Sequence, residues 1–156
     1  MDADQTGSDI ADLISPRGVI AQLRAPTKRQ LLQELARRAA TLTGIADKRI
    51  FDALVERERL GTTGIGTGIA IPHCRLSELT RLYGMFARLD RPVPFEAIDD
   101  QPVDLVFLLL APADAGAEHL RALARVSRLL RDKAMCEKLR GASSADALHA
   151  LLTGGS

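Results

Sequence analysis

The chain has 156 residues, of which 21 are basic and 20 acidic, so its formal net charge is +1. This length predicts one domain, and the balanced charge, single tyrosine and absence of tryptophan argue against nucleic acid as a partner, whether bound by bulk charge or by base stacking. Two cysteines without metal-type spacing, a polar N-terminus and no long apolar run predict a soluble, cytoplasmic protein with reduced thiols and no membrane insertion.

The N-terminal part of the chain is polar before it becomes apolar. Residues 1–8 are predicted to be a flexible tail. Residues 9–153 contain no repeat or linker that would divide them, and they are predicted to form a single domain. Within it, residues 19–23 alternate between polar and apolar and predict the first strand, which Pro26 ends.

Two helices are predicted to follow this strand. Thr27 starts a capping-box spacing, and apolar residues keep a helical period over residues 28–43 up to Gly44, a residue favoured just beyond a helix end. The second helix is expected to begin with Asp47 as its N-cap and to end near residues 60–61.

Residues 57–75 read RERLGTTGIGTGIAIPHCR and combine a basic helix end, a glycine-rich loop, a short apolar run and a histidine. Glycine at this density lets a backbone adopt positive φ and bring its N–H groups close to a ligand, and an anion suits such a loop. Pro72 keeps its predecessor extended, so His73 is expected at a strand end with its imidazole pointing outward. With Arg57, Arg59 and Arg75 close in sequence, the pattern indicates a nucleophilic or ligating histidine in a positive pocket suited to a phosphoryl group.

Arg57 has two interpretations that the sequence leaves open. A cation on the last turn of a helix is favoured by the carbonyl end of the helix dipole, which is a structural role. The neighbouring glycine loop makes it equally consistent that Arg57 faces the anion site.

The C-terminal half is predicted to supply the centre of the sheet and three more helices. Residues 83–89 alternate like a strand that residues 90–92 close, and residues 103–111 are nearly continuously apolar, as in an inner strand covered on both faces. A helix is expected from residue 117, with His119 exposed in its first turn. Its buried stripe is predicted to comprise Leu120, Leu123, Val126 and Leu130.

The chain is expected to finish as two short helices, residues 135–139 and 145–152, the second capped by Ser143. Crossover helices are missing between the middle strands, which requires at least one antiparallel pairing. The predicted fold class is α/β of mixed α+β character: three layers, helix/sheet/helix, around a mixed sheet.

Several other kinds of site fit the sequence less well. No Gly-Lys-Ser/Thr follows the glycine loop, and the dinucleotide fingerprint lacks its third glycine, so a nucleotide site loses support. A Cys–His hydrolase is disfavoured because His73 and Cys74 are adjacent on a strand and point to opposite faces. A metal site made of His73, His119 and Cys74 lacks ligand-spaced clusters.

The segment RERLGTTGIGTGIAIPHCR closely resembles the active-site segment of the IIA proteins of the phosphoenolpyruvate-dependent phosphotransferase system, fructose/mannitol class. Residues 95–120, FEAIDDQPVDLVFLLLAPADAGAEHL, resemble the nitrogen-regulatory branch of that class. The resemblance spans about residues 10–150 and implies the fold of that family, a mixed sheet between helical layers.

The resemblance implies that His73 is the nucleophile that accepts a phosphoryl group, and that Arg57 and His119 are the two other active-site positions. With these roles given, phosphate-binding donors are expected from the loop, namely Thr62, Thr63, Gly64, Gly66 and Gly68. No cofactor and no metal are expected. Thr67 and Cys74 depart from the residues that many relatives have there, and Cys74 raises the question of redox sensitivity beside the phosphorylated ring.

The implied function is that of a phosphohistidine carrier. Whether such a phosphotransferase-type carrier counts as an enzyme is left open. The expected donor is a histidine-phosphorylated, HPr-like (NPr-type) carrier, and the regulatory version acts on protein targets such as transporters or kinases through the added charge of about −1.5 to −2. Two alternatives stay open: a sugar-specific IIA that passes phosphate to a IIB domain, and a binding module of the same fold that is never phosphorylated. Residues 30–60 are left open as a partner or homodimer surface.

Overall fold

A computed structural model of the chain describes residues 10–154, so the predicted tail at residues 1–8 lies outside the described part. Over these residues the chain forms six strands and five helices. The strands are β1 (Ile14–Leu23), β2 (Gly64–Gly66), β3 (Ile69–Ala70), β4 (His73–Leu76), β5 (Tyr83–Val93) and β6 (Val103–Pro112). The helices are α1 (Lys28–Thr43), α2 (Asp47–Arg59), α3 (Ala117–Arg131), α4 (Lys133–Gly141) and α5 (Ala145–Leu152).

The sheet is built around β6, as its apolar sequence predicted. On one side β6 pairs antiparallel with β5, which pairs parallel with β1. On the other side β6 pairs parallel with β3 and, further along its length, with β4, while β2 adds an antiparallel edge to β3. Nearly every β6 side chain is buried, since both faces of this strand are covered.

Helices cover both faces of the sheet and give each face its own core. α1 and α2 pack Leu31, Leu35 and Ile50 against one face. α3, α4 and α5 pack against the other, with Val126 and Leu139 among the fully buried residues. The predicted helix/sheet/helix layering with a mixed sheet is therefore confirmed.

The predicted start and end of α1 are confirmed, whereas the predicted cap of α2 is wrong. Thr27 Oγ1 accepts the N–H of Gln30 at 3.1 Å, and Gly44 adopts φ +80° beyond the last turn. In α2, Asp47 is the first helical residue and no side chain caps the helix. Its carboxylate instead lies in the first turn, where the helix dipole favours a negative charge.

Two strands are longer than predicted, and each of them contains a proline. β1 begins at Ile14 rather than at residue 19, and its pairing with β5 is irregular between Ile14 and Val19, where Pro16 lies. β5 continues through Pro92 to Val93, with a register irregularity after Arg88. A proline lacks the N–H that a ladder needs, so it is tolerated where the regular pairing is interrupted.

The predicted details of the C-terminal helices need three corrections. α4 begins at residue 133, where Asp132 caps it by accepting the N–H groups of Ala134 and Met135. The cap of α5 is Ser144, which accepts from Ala147 N–H, and not Ser143. Leu120, predicted to be in the buried stripe of α3, is 65% exposed. The face of α3 that packs inward carries His119 and Ala122 instead.

The pairing of β4 with β6 brings the chemically interesting segments together. His73 pairs with Leu109 toward the C-terminal end of β6. That end, Pro112, pairs with Leu76 at the end of β4, and a turn at residues 113–116 then leads into α3. The first turn of α3 brings the ring of His119 next to the ring of His73. α2 packs against β4 and delivers its last turn to the same place. Between residues 10 and 154, none of the helices combines the length and apolar character that a membrane crossing needs.

Candidate functional site

A cavity of ≈ 650 Å³ opens where the last turns of α2, the start of β4 and the first turns of α3 meet. Its polar wall includes Arg57, His73, Arg75 and His119. The structure therefore brings together the three residues that the sequence suggested for catalysis, from three different elements, and adds Arg75.

His73 is the first residue of β4 and is half-buried. Its Nδ1 lies 2.7 Å from the carbonyl oxygen of Ile71. A carbonyl can only accept, so Nδ1 carries the proton in the neutral ring and the lone pair is on Nε2. The sequence expected His73 at a strand end, and the residue begins its strand because Pro72 interrupts the ladder between β3 and β4.

The pKa of His73 lies below its ordinary value. Burial of the ring is the main cause, because it disfavours the charged imidazolium. The hydrogen bond to Ile71 opposes the shift, the positive charge of Arg57 adds to it, and the carboxylate of Glu58 opposes it. The ring is therefore neutral and nucleophilic at neutral pH.

His119 lies in the first turn of α3 and is only 5% exposed, so the expectation of an exposed histidine is wrong. The sequence could not show that Arg75 of β4 reaches this ring and donates from Nε to Nδ1 at 3.2 Å. Because Nδ1 accepts, the proton of neutral His119 is on Nε2, and that buried atom has no hydrogen-bond partner among the described residues. Burial, and then the charges of His73 and Arg75, lower the pKa of His119 to about 4.

The two imidazoles are neighbours with complementary protonation. Their ring centroids are 5.7 Å apart and the rings meet edge to face at 74°. His73 offers a lone pair on Nε2, whereas His119 offers an N–H on Nε2 that is buried without a partner. A buried donor left unpaired is costly, and at a functional site it indicates a place for an acceptor that arrives with a ligand.

Arg57 lines the cavity at the last turn of α2, which favours the second of its two interpretations. Its Nη1 donates to the carbonyl oxygen of Gly61 at 2.9 Å, which fixes the guanidinium at the mouth of the glycine loop. Its charge acts on His73. Arg59, two residues further on, is 70% exposed and does not line the cavity, although its ion-pair partner Glu56 does.

Arg75 was expected only to add positive charge to the pocket, and its contact with His119 was not predicted. A signal was available, since His73 and Arg75 are two apart on β4 and side chains at that spacing share a face of a strand. Its hydrogen-bond partner, His119, is 44 residues away in the sequence, so only the fold reveals the contact.

The glycine-rich loop does not line this cavity, although Thr62, Thr63, Gly64, Gly66 and Gly68 were predicted to bind phosphate. Its amides bond to acceptors within the protein: Thr63 N–H to Glu58, and Thr67 N–H to Asp99 at 2.9 Å. Gly64 N–H is held by the hydroxyl of Thr62 at 3.0 Å. Phosphate binding by the loop stays a prediction, and these contacts do not support it.

The glycines have a packing reason instead. A Cβ added at Gly64 would lie 2.8 Å from Cβ of Ala97, so the backbone of residues 94–98 could not approach as it does. Gly68 has φ +85°, and an added Cβ would lie 2.6 Å from Arg140 Nη2. Glycine is therefore required at Gly64 for close approach to Ala97 and at Gly68 chiefly for its positive φ.

Cys74 alternates with His73 along β4 and is buried against α1 and α2, although it also borders the cavity that holds His73. Burial raises the pKa of its thiol to about 12, with the charge of Arg49 acting weakly in the other direction. The thiolate is the reactive form, so Cys74 is chemically quiet despite its position next to His73. Over residues 10–154 the structure contains no cluster of three or more His, Cys, Asp or Glu side chains arranged to hold a metal ion.

Comparison with known proteins gives a consistent result. The family model described as phosphoenolpyruvate-dependent sugar phosphotransferase system, EIIA 2, matches residues 12–154. The nitrogen regulatory protein of Bradyrhizobium diazoefficiens is 53% identical over 143 residues, which cover 92% of this chain and 94% of that protein. The nitrogen regulatory protein of Escherichia coli K12 is 38% identical over 154 residues, which cover 98% of this chain and 94% of that protein.

Solved structures match the whole fold. The crystal structure of the nitrogen regulatory protein IIA-Ntr from Neisseria meningitidis superposes with a TM-score of 0.88 at 34% identity, covering 94% of this chain and all of that one (100%). IIA mannitol from Escherichia coli has a TM-score of 0.74 at 21% identity, covering 88% of this chain and 97% of that one. The second likeness concerns the fold alone.

Proposed function

We propose, because this chain belongs to the EIIA 2 family of the phosphoenolpyruvate-dependent sugar phosphotransferase system, that it is a phosphocarrier of the nitrogen-regulatory type that accepts its phosphoryl group on Nε2 of His73. The observation that carries the residue assignment is the hydrogen bond from His73 Nδ1 to Ile71. It places the proton on one nitrogen and the lone pair on the other, inside a cavity that is also lined by three arginines and an unpaired N–H donor.

The transfer step follows from this arrangement. The lone pair of His73 Nε2 attacks phosphorus of a phosphohistidine on the donor, a new N–P bond forms, and the electron pair of the breaking N–P bond returns to the donor ring. Such a transfer needs alignment and neutralisation of the oxygens more than it needs acid or base chemistry. Arg57 supplies charge beside the nucleophile, and His119 Nε2–H supplies a donor to a phosphoryl oxygen.

Arg75 supports His119 in this scheme. By donating to His119 Nδ1, it keeps the proton of that ring on Nε2, the nitrogen that has no protein partner. The low pKa of His119 keeps the ring neutral, so it acts as a hydrogen-bond donor and not as a competing acid. The further phosphate contacts predicted for Thr62, Thr63, Gly64, Gly66 and Gly68 are not needed for this step.

The rim of the cavity suits a docking protein. Leu60 and Leu120 are 82% and 65% exposed and lie on either side of the opening. Apolar side chains presented around a reactive group match the composition of an interface core. We assign the donor as an HPr-like (NPr-type) phosphocarrier that binds this rim in the cytoplasm, and we assign the output as regulation of protein targets such as transporters or kinases by the phosphorylated state.

Reconstitution of the relay tests this function. The protein is incubated with phosphoenolpyruvate, the first enzyme of the relay and its carrier protein, and its intact mass is measured. We expect the gain of one acid-labile phosphoryl group, lost in His73→Ala and kept in His149→Ala, a histidine on α5 outside the cavity. A gain that survives His73→Ala would contradict the site, and no gain on the wild type would favour a binding module of the same fold.

A second measurement separates regulatory from sugar-specific use. The phosphorylated protein is offered to a IIB domain for fructose or mannitol, and return of phosphate is followed by mass. Efficient transfer would support the sugar-specific alternative, whereas retention of the phosphoryl group supports the regulatory assignment.

A further inference from the structure

Glu58 is a nearly buried carboxylate that the proposed transfer does not use. It follows Arg57 on the last turn of α2, and its side chain is only 8% exposed. The side chains of these two neighbours point in different directions: Arg57 lines the cavity, whereas Glu58 contacts Thr63 of the glycine loop. A buried charge persists only when it is paired and hydrogen-bonded.

The partners of Glu58 account for its charge. Its carboxylate accepts the backbone N–H of Thr63 at 3.3 Å and also the hydroxyl of Thr63. Lys28, at the start of α1, places its Nζ 2.9 Å from Glu58 Oε1 and is itself 20% exposed. The ammonium also lies 4.5 Å from the ring centroid of Phe95, which limits where it can move.

A continuous series of hydrogen bonds leads from Glu58 to the nucleophile. Thr63, held by Glu58 at both its N–H and its hydroxyl, uses its carbonyl oxygen to accept from Ile71 N–H at 2.9 Å. The carbonyl of Ile71 in turn accepts from His73 Nδ1 at 2.7 Å. The carbonyl that decides the tautomer of His73 is thus located by Thr63, and Thr63 is located by Glu58.

We propose that Glu58 is a positioning residue for His73: its contacts with Thr63 hold the Ile71 carbonyl in place and thereby keep the proton of His73 on Nδ1 and the lone pair on Nε2. Its importance for phosphoryl transfer rests on the function proposed above, whereas its effect on the tautomer does not. The ion pair with Lys28 prevents the carboxylate from turning toward the cavity, where it would repel a phosphoryl group.

The tautomer of His73 is the readout that a merely structural role would not move. Long-range ¹H–¹⁵N correlation spectra of the folded protein, with ¹⁵N-labelled histidine, report which ring nitrogen carries the proton. The wild type is expected to show His73 in the Nδ1–H form. In Glu58→Ala the Nε2–H form becomes populated, because the Ile71 carbonyl is no longer held in line with the ring.

Three further variants make the test specific. Glu58→Gln keeps an acceptor for Thr63 and is expected to keep the wild-type tautomer. Thr63→Val removes only the hydroxyl contact and is expected to give an intermediate shift. Glu34→Ala, the matched control, removes an acidic residue of α1 that pairs with Arg37 and Arg38 away from this chain of bonds, and is expected to leave His73 unchanged.

The same variants are then assayed in the reconstituted relay. We expect the rate of phosphoryl acceptance to fall about tenfold to a hundredfold in Glu58→Ala, as small misplacements of a reacting group do. An unchanged His73 tautomer in folded Glu58→Ala overturns the proposal, as does an equal shift in Glu34→Ala. A tautomer that shifts as expected in a protein that the relay does not phosphorylate would support the positioning role and contradict the proposed function.

Discussion

The cavity around His73 and the glycine loop beside it are both rich in N–H groups, but they differ in what those groups contact. In the loop, the N–H groups of Thr63 and Thr67 bond to carboxylates of the protein. In the cavity, His119 Nε2 is buried with no partner among the described residues, and guanidinium groups surround a ring with a free lone pair. N–H donors that already bond to the protein indicate a structural role, whereas buried N–H donors without a partner indicate a binding place for a ligand.

This contrast changes the meaning of the segment RERLGTTGIGTGIAIPHCR. A density of glycine suggested an anion cradle, yet its glycines permit close packing against residues 94–98 and against Arg140. The loop's contribution to the site is indirect, because it fixes the strand start from which His73 projects. Variants in the two regions should therefore affect different quantities: phosphoryl transfer for the cavity and stability for the loop glycines. Thr63 is the exception in the loop, because its carbonyl oxygen positions the residue that orients His73.

The largest effect is expected at Arg57. Arg57→Gln removes the cation beside His73, and loss of one such group from a preorganised site typically costs about a hundredfold to a thousandfold in rate. Arg38→Gln is the control, because Arg38 is an arginine of α1 that pairs with Glu34, and neither residue lines the cavity. The initial rate of phosphoryl gain, followed by intact mass, measures both. Equal rates in the two variants would remove Arg57 from the site.

In the loop, Gly64→Ala should cost stability and leave transfer intact. The added methyl group would lie 2.8 Å from Cβ of Ala97, and overpacking of this kind typically costs about 1–3 kcal/mol. Gly141→Ala is the control, since nothing lies within 4 Å of the position an added Cβ would take at the end of α4. Urea unfolding measures stability, and the relay assay at 25 °C measures transfer. A loss of rate without loss of stability, with the His73 tautomer unchanged, would indicate that the loop does bind phosphate.

The contrast also shows how far sequence reasoning reached. The family and its nitrogen-regulatory branch were predicted from residues 57–75 and 95–120 and are confirmed. α1 and the central strand β6 were predictable because their signals are local: a cap, a helical period, an apolar run. Contacts between distant residues were not predictable. The burial of His119 depends on how α3 docks, and the packing of Gly64 depends on residues more than thirty positions away.

The acid stability of the protein should report on His119. Burial lowers the pKa of this ring to about 4, compared with about 6.5 in the unfolded chain. The unfolded state therefore binds the proton first as pH falls, so the contribution of His119 is fully present above about pH 6.5 and is lost as pH falls through about 4. The free energy of unfolding of the wild type should fall between pH 7 and pH 4 by about 2 kcal/mol more than that of His119→Gln, after allowance for solvent at the open edge of the ring.

Chemical denaturation of both proteins across this pH range tests the expectation. Glutamine at this position can still accept from Arg75 but does not titrate, so the difference between the two curves isolates the imidazole. His73, whose pKa is lowered by burial in the same direction, is present in both proteins, so the difference between the curves reports His119 together with its coupling to His73. Curves that stay parallel from pH 7 to pH 4 would contradict a buried, neutral His119.

The smallest effect is expected from Cys74, which borders the cavity of His73 but is buried, with only 6% of its surface exposed. Side chains alternate along β4, and burial raises the pKa of the Cys74 thiol to about 12, so little thiolate forms at neutral pH. In a Cys136→Ala background, native protein should react with a thiol reagent much more slowly than unfolded protein, and Cys74→Ala should accept phosphate at the wild-type rate within about twofold, because no step of the transfer uses sulfur. Rapid modification of the native protein that blocks phosphoryl gain would show that the two faces of β4 are coupled, and would make the residue next to the nucleophile a redox control point.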